Sequence, residues 1–215
     1  MESGGDSITM VTVSAEGLSK DFNRRSVFNG ISFSLTSPSS MAVTGKNGAG
    51  TSTLVKIIAG ILGPNRGAVS YAIDRKPVAA DVFKRHIGFV SPYLNLYDEF
   101  TALENLEILS RIRSVRRHRD LHAQQLLEDL ALWERRNDQV GTFSSGMKQR
   151  MKYAFALLHR PALLILDEPN ANLDADGIAV VEHAVKEQKK DRLLIVATND
   201  AKEAKWCDRE IRIGE

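Results

Sequence analysis

Three short segments of the chain hold residues whose types and spacing could do chemistry on a phosphate ester. The first runs Gly45, Lys46, Asn47, Gly48, Ala49, Gly50, Thr51, Ser52, Thr53. It lies between a short apolar run and an apolar pattern of helical period, so it reads as a strand-to-helix turn. Glycines there let the backbone curl until successive N–H groups face an anion at a helix N-terminus. The spacing is that of a P-loop, G-x-x-x-x-G-K-S/T, with Thr51 where the lysine belongs. Ser52 would offer its hydroxyl to Mg²⁺, while the ammonium that normally sits against the β- and γ-phosphates is missing.

The second segment is the apolar run 163–166, which ends in Asp167, Glu168 and Pro169. Carboxylates at the carboxyl end of a parallel strand lie where such sheets bind ligands. Asp167 can hold Mg²⁺ through its water shell, and Glu168 can polarise an attacking water as general base. The third segment is Phe143, Ser144, Ser145, Gly146, Met147, Lys148, Gln149, Arg150, opening an amphipathic helix. Ser144 reads as its N-cap, and the free N–H groups of that first turn can face an anion. Taken singly, these are also a tight turn, two acids opening a loop and a capped helix. Their order in one chain is what points to a nucleotide.

The elements that must position them alternate. Residues 11–15, 31–35, 41–45, 68–73 and 86–90 read as strands, and Leu54, Ile57, Ile58 and Ile61 mark a helix that Gly63, Pro64 and Asn65 punctuate. From 101 to about 159 the pattern is helical, with apolar faces at Leu103, Leu106 and Leu109, at Leu126, Leu127 and Leu130, and at Met147, Met151, Ala154, Phe155 and Leu158. Strands return at 163–166, 193–197 and about 209–213, with a helix from about 176 to 190. Continuous apolar strands alternating with helices imply a parallel sheet covered on both faces.

Composition narrows the class. The 215 residues are 43% hydrophobic and 26% charged, the balance of a globular domain. Lys plus Arg is 29 against Asp plus Glu 27, a formal charge of +2, which argues against a protein that grips nucleic acid through phosphates. The single cysteine, Cys207, fits a reducing compartment. No apolar run approaches the roughly 18 residues of a membrane span, and the first ten residues lack the order of a secretory signal. The expectation is a cytoplasmic protein. His86, His122, His159 and His183 show no metal-ligand spacing. The basic run Arg111, Arg113, Arg116, Arg117, His118, Arg119 reads as a solvated connection between helices.

The order of the three segments resembles the ATP-binding subunit of ABC transporters, from about Val11 to Gly214. The family's signature, usually L-S-G-G-Q, corresponds to Phe143–Met147, between Walker A at 45–53 and Walker B at 163–168. By resemblance, Phe22 stacks on adenine, Asn172, Leu173 and Asp174 contact the opposite subunit, and the segment from Asp98 to Leu106 follows the Q-loop. The resemblance implies two ATPs sandwiched between two subunits, as a homodimer or an ABC-type heterodimer. Ser144 and Gly146 would then act on the nucleotide held by the partner. It also implies a separate integral-membrane permease, which would place the chain on the inner face of the membrane. The S-S-G-M form of the signature, the short chain and the Ser91-Pro92 segment resemble exporter-type ATPases, haem-exporter-like ones among them.

Ser145 and Met147 loosen the signature, while Ser144 and Gly146 keep its phosphate-facing chemistry, and three further expected residues are absent. Thr51 replaces the Walker A lysine, Pro92 stands at the Q-loop glutamine with Asn95 nearby, and Asn199 replaces the switch histidine. Asn199 keeps an amide for hydrogen bonding but cannot carry a proton. Pro92 offers neither side-chain amide nor backbone donor. Thr51 deletes a positive charge at the site of highest negative charge, so ATP affinity and turnover are expected to fall. A non-hydrolysing switch or scaffold of the same family is the alternative.

The expected architecture is α/β: a P-loop NTPase core with a parallel central sheet, N-terminal antiparallel strands and an inserted helical subdomain. Its divisions are a flexible leader at 1–10, core at 11–96, the helical subdomain at 97–160 and core again at 161–215.

Overall fold

The computed structural model describes residues 10–23, 25–112 and 119–214. The expected leader, Met10 apart, lies outside the described residues, as do Arg113, Arg116, Arg117 and His118 of the basic run. Two sheets and two helical layers account for the rest.

The first sheet is antiparallel and holds β1 (Val11–Phe22), β2 (Arg25–Thr36), β4 (Arg66–Ile73) and β5 (Lys76–Val78) in the order β2-β1-β4-β5. The second is parallel, with β6 (Ile87–Val90), β7 (Leu163–Asp167), β8 (Leu193–Thr198), β3 (Ser39–Gly45) and β9 (Arg209–Ile213) in the order β6-β7-β8-β3-β9. The helices are α1 (Thr51–Ile58), α2 (Ala80–Phe83), α3 (Ala102–Ile112), α4 (Arg119–Asp129), α5 (Ser145–Leu157), α6 (Ala175–Lys189) and α7 (Ala201–Ala204).

Every residue of β7 and β8 is buried because the parallel sheet separates two cores. Leu163, Ile165, Leu193, Ile195 and Ala197 face the core shared with α1 and the antiparallel sheet. Leu164, Leu166, Leu194 and Val196 face the core built by α3, α4, α5 and α6. Side chains alternate across a strand, so a strand buried on both faces must be apolar at every position.

Two expectations are corrected, and three short elements were not foreseen. The helix after the glycine loop ends at Ile58, and Ile61 is 62% exposed. Gly60 sits at φ 69°, Ile61 N–H donates to Lys56 O at 2.9 Å and Gly60 N–H to Ile57 O at 3.0 Å, a Schellman stop that the helical spacing of Ile61 concealed. β1 and β2 run well beyond 11–15 and 31–35, because a bulged register lets them pair past Leu18. The short elements β5, α2 and α7 carry too little periodicity to be read from sequence.

The topology places the chemistry. Thr44 pairs with Thr198, and Ala197 with Asp167, so β3, β8 and β7 finish level with one another. The residues that follow them therefore emerge side by side at one sheet edge.

Candidate active site

At that edge lies a cleft of about 760 Å³. It brings together Phe22, Gly45, Lys46, Asn47, Gly48, Gly50, Thr51, Ser52, Thr53, Glu168 and Asn199 of the sequence candidates. Ala49 faces the other way, toward Gly45 and Gly214. Gly50 ends the loop at φ 104°, where a Cβ would come within 2.3 Å of Val27 Cγ1. Only glycine fits so close to β2 in that conformation. Thr51 then opens α1 without a side-chain cap, leaving the N–H groups of the first turn for an anion. Phe22 is 46% exposed at the cleft mouth, with Lys20 Nζ 5.0 Å from its ring centre. That exposed ring offers a flat apolar surface for a base.

The two carboxylates differ. Asp167 is buried at the end of β7, and its Oδ1 accepts a 2.7 Å hydrogen bond from Ser52 Oγ. Its Oδ2 is buried with no partner. Burial pushes its pKa up, opposed by the Ser52 hydroxyl and the charge of Lys56, with the nearby Glu168 adding to the rise. An orphaned carboxylate oxygen beside a serine hydroxyl is a set of hard oxygen donors that fits Mg²⁺. Ser52 and Asp167 would hold that ion, which when bound supplies charge neutralisation to phosphate oxygens. Glu168 is exposed instead, in a left-handed backbone conformation at φ 52°. Such a conformation costs on the order of 1 kcal/mol or more outside glycine and persists only where the surroundings enforce it. A solvent-facing carboxylate there can accept a proton from water. Asn199, just beyond β8, donates through Nδ2 to Asn47 Oδ1, so the amide at the switch position already touches the glycine loop.

Ser144 and Gly146 are not brought to this cleft. Ser144 Oγ caps α5 by accepting from Met147 N–H at 3.2 Å. Gly146 lies under Asn172, whose carbonyl oxygen would be 3.3 Å from an added Cβ. Asp174 caps α6, its Oδ1 accepting from Gly177 N–H at 2.8 Å. Asn95 lines a separate cleft of about 310 Å³ beside α5. Pro92 presents its carbonyl to Lys152 Nζ at 2.8 Å.

Glu203, Asn170 and Tyr153 escaped the sequence reading, which named Gln149 only within the segment that opens α5. Glu203 and Asn170 line the cleft, while Gln149 and Tyr153 reach the turn after Glu168 from behind. Two hydrogen-bonding side chains four residues apart on one buried stripe of α5 were the available signal for the latter pair.

A curled glycine loop, a serine–aspartate pair and a free carboxylate at one edge of a parallel sheet define a P-loop nucleotide-binding domain. The chain matches the ABC transporter family over residues 28–171 and belongs to that family. It is 33% identical over 201 residues to the linearmycin resistance ATP-binding protein of Bacillus subtilis, covering 91% of this chain and 64% of that protein. It is 32% identical over 212 residues to the Nod factor export ATP-binding protein I of Rhizobium leguminosarum bv. viciae, covering 97% and 68%. The chain thus spans about two thirds of the length of these relatives. It is also 31% identical to the lipoprotein-releasing system ATP-binding protein of Bacteroides fragilis, over 92% of this chain and 95% of the relative. Among solved structures, the ATP-binding subunit of an ABC transporter superposes with a TM-score of 0.83 at 28% identity, covering 94% of this chain and 85% of that one. A dimeric ATP-binding cassette bound to ADP and Pi superposes at 0.78 and 23% identity, covering 94% of each chain, a likeness of fold.

Proposed function

We propose that this chain is the ATP-binding subunit of an ABC exporter, binding and hydrolysing Mg·ATP between two such subunits to drive a separate membrane permease. The observation that carries this reading is the convergence in one cleft of the glycine loop, Glu168 and Ser52, whose hydroxyl bonds the buried Asp167 behind it. In this reading the loop N–H groups cradle the phosphates, Phe22 stacks on the base, and Glu168 takes the proton of the attacking water. Asn199 orients the water or the γ-phosphate. Ser144 and the N–H groups near Gly146 serve the partner's nucleotide, which agrees with their distance from their own chain's cleft. The chain would sit on the cytoplasmic face of the membrane through its permease. Among the described residues no helix is long and apolar enough to cross a membrane. The exporter direction is supported by the likeness to the Nod factor export ATP-binding protein.

Thr51 sets the rate in this proposal. A charge-assisted contact to phosphate contributes about 1.5–3 kcal/mol. Its absence weakens ATP binding and slows turnover by roughly one to three decades. Mg·ATP binding and hydrolysis measured side by side on this chain and on Thr51→Lys test the reading. A large gain in the lysine variant supports it. Hydrolysis by neither would replace it with a non-hydrolysing switch or scaffold, disabled also at Pro92 and Asn199.

A further inference from the structure

We propose that Gln149, Tyr153 and Glu203 clamp the Pro169–Asn170 peptide just beyond Glu168, and so act as positioning residues for the Glu168 carboxylate. The inference rests on reading Glu168 as the general base. Glu168 is anchored on one side by its own N–H, which donates to Ala197 O at 3.0 Å. On the other side the chain turns through Pro169, which has no N–H, so only its carbonyl is available as a handle. That oxygen accepts two hydrogen bonds, from Gln149 Nε2 at 3.2 Å and from Tyr153 Oη at 3.0 Å. The other edge of the same peptide is held as well: Asn170 N–H donates to Glu203 Oε1 at 3.3 Å. Glu203 Oε2 accepts from Thr198 Oγ1, at the end of β8.

All three clamp side chains are buried, at 2%, 0% and 6% exposure. Burying an amide, a phenol and a carboxyl is costly unless each finds a partner, and apolar residues would fill the same space more cheaply. Their convergence on one turn is explained by what the turn must do. It holds a non-glycine residue in a left-handed conformation, which relaxes unless its surroundings over-determine it. Gln149 and Tyr153 stand four apart on α5, the helix that begins at the Ser144 cap. A shift of that helix is therefore passed through Pro169 O to the carboxylate of the same chain.

The test uses Tyr153→Phe, which keeps the ring and removes one donor, with Gln149→Met as a second variant in case the first does not fold. Hydrogen–deuterium exchange of the 168–173 peptide is expected to quicken about tenfold while exchange within α5 stays put. Unchanged exchange in both variants overturns the clamp. In the Thr51→Lys background, single-turnover hydrolysis should drop about tenfold with the KM for ATP unmoved. Adding Tyr153→Phe to Glu168→Gln should cost nothing further, because both act through one carboxylate. An equal loss in both backgrounds, or a parallel change in KM, overturns positioning through Glu168. If Glu168→Gln itself leaves hydrolysis unchanged, the general-base reading fails, and exchange still decides the clamp. Exchange likewise decides if no variant hydrolyses ATP.

Discussion

Ser52 Oγ lies 2.7 Å from Asp167 Oδ1, joining positions 115 residues apart in the chain. The bond ties the first turn of α1 to the tip of β7 and leaves the second oxygen of the carboxylate buried and free. In Ser52→Ala the buried carboxylate loses its one hydrogen bond, which otherwise lowers the pKa that burial raises. Mg²⁺-supported ATP binding should weaken by at least about tenfold, while Mg²⁺-free nucleotide binding changes by less than about twofold. Titration calorimetry with and without Mg²⁺ reads the difference. Equal losses in both conditions would place the serine on the phosphates instead.

Burial raises the pKa of Glu203 above 4.5, opposed by its bonds to Thr198 and Asn170. The folded state then holds its proton to higher pH than the unfolded state. The stability contribution tied to that proton is fully present below the unfolded pKa and is lost as pH rises through the folded one. Comparing the wild type with Glu203→Gln isolates this group. The wild-type advantage should shrink steadily as pH is taken upward from about 4.5 and then level off. Urea unfolding at a series of pH values checks it, and a pH-independent difference would contradict the shift.

Ser144→Ala removes the cap of α5 and should destabilise the isolated chain by about 1 kcal/mol, read as a lower Tm. Because Ser144 stands outside its own cleft, the ATP affinity of the monomer should hold. Hydrolysis, which the proposal assigns to the dimer, should fall. A loss of monomer affinity would show that the residue acts within its own chain.

Cys207 is pushed up to about 12, chiefly by burial. At pH 8 its thiolate is scarce, so alkylation by iodoacetamide should be at least about a hundredfold slower in the folded protein than in urea. Labelling at similar rates in the two conditions would mean that the thiol is open to solvent.

The glycine loop, the carboxylate pair and the capped helix were legible because each is a local signal, written in consecutive residues. So were the buried strands 163–166 and 193–197, whose apolar runs require a sheet covered on both faces. The end of α1 was not, since Ile61 continues the helical spacing while Gly60 breaks the helix. Nor was the role of Pro169: nothing about a proline after two acids foretells that its carbonyl accepts from Gln149 and Tyr153.

What the sequence determined by itself was the chemistry available and the order in which it comes. Residue type and spacing decide whether a turn can face an anion or a strand end can carry a carboxylate. Tertiary structure alone decided which of these groups meet. β8 runs between β3 and β7, so Ser52 reaches Asp167 and Asn199 reaches Asn47, while Ser144 is left outside its own cleft. Those meetings depend on strand order and register, which are set by how two cores pack against one sheet, and no local run of residues records them.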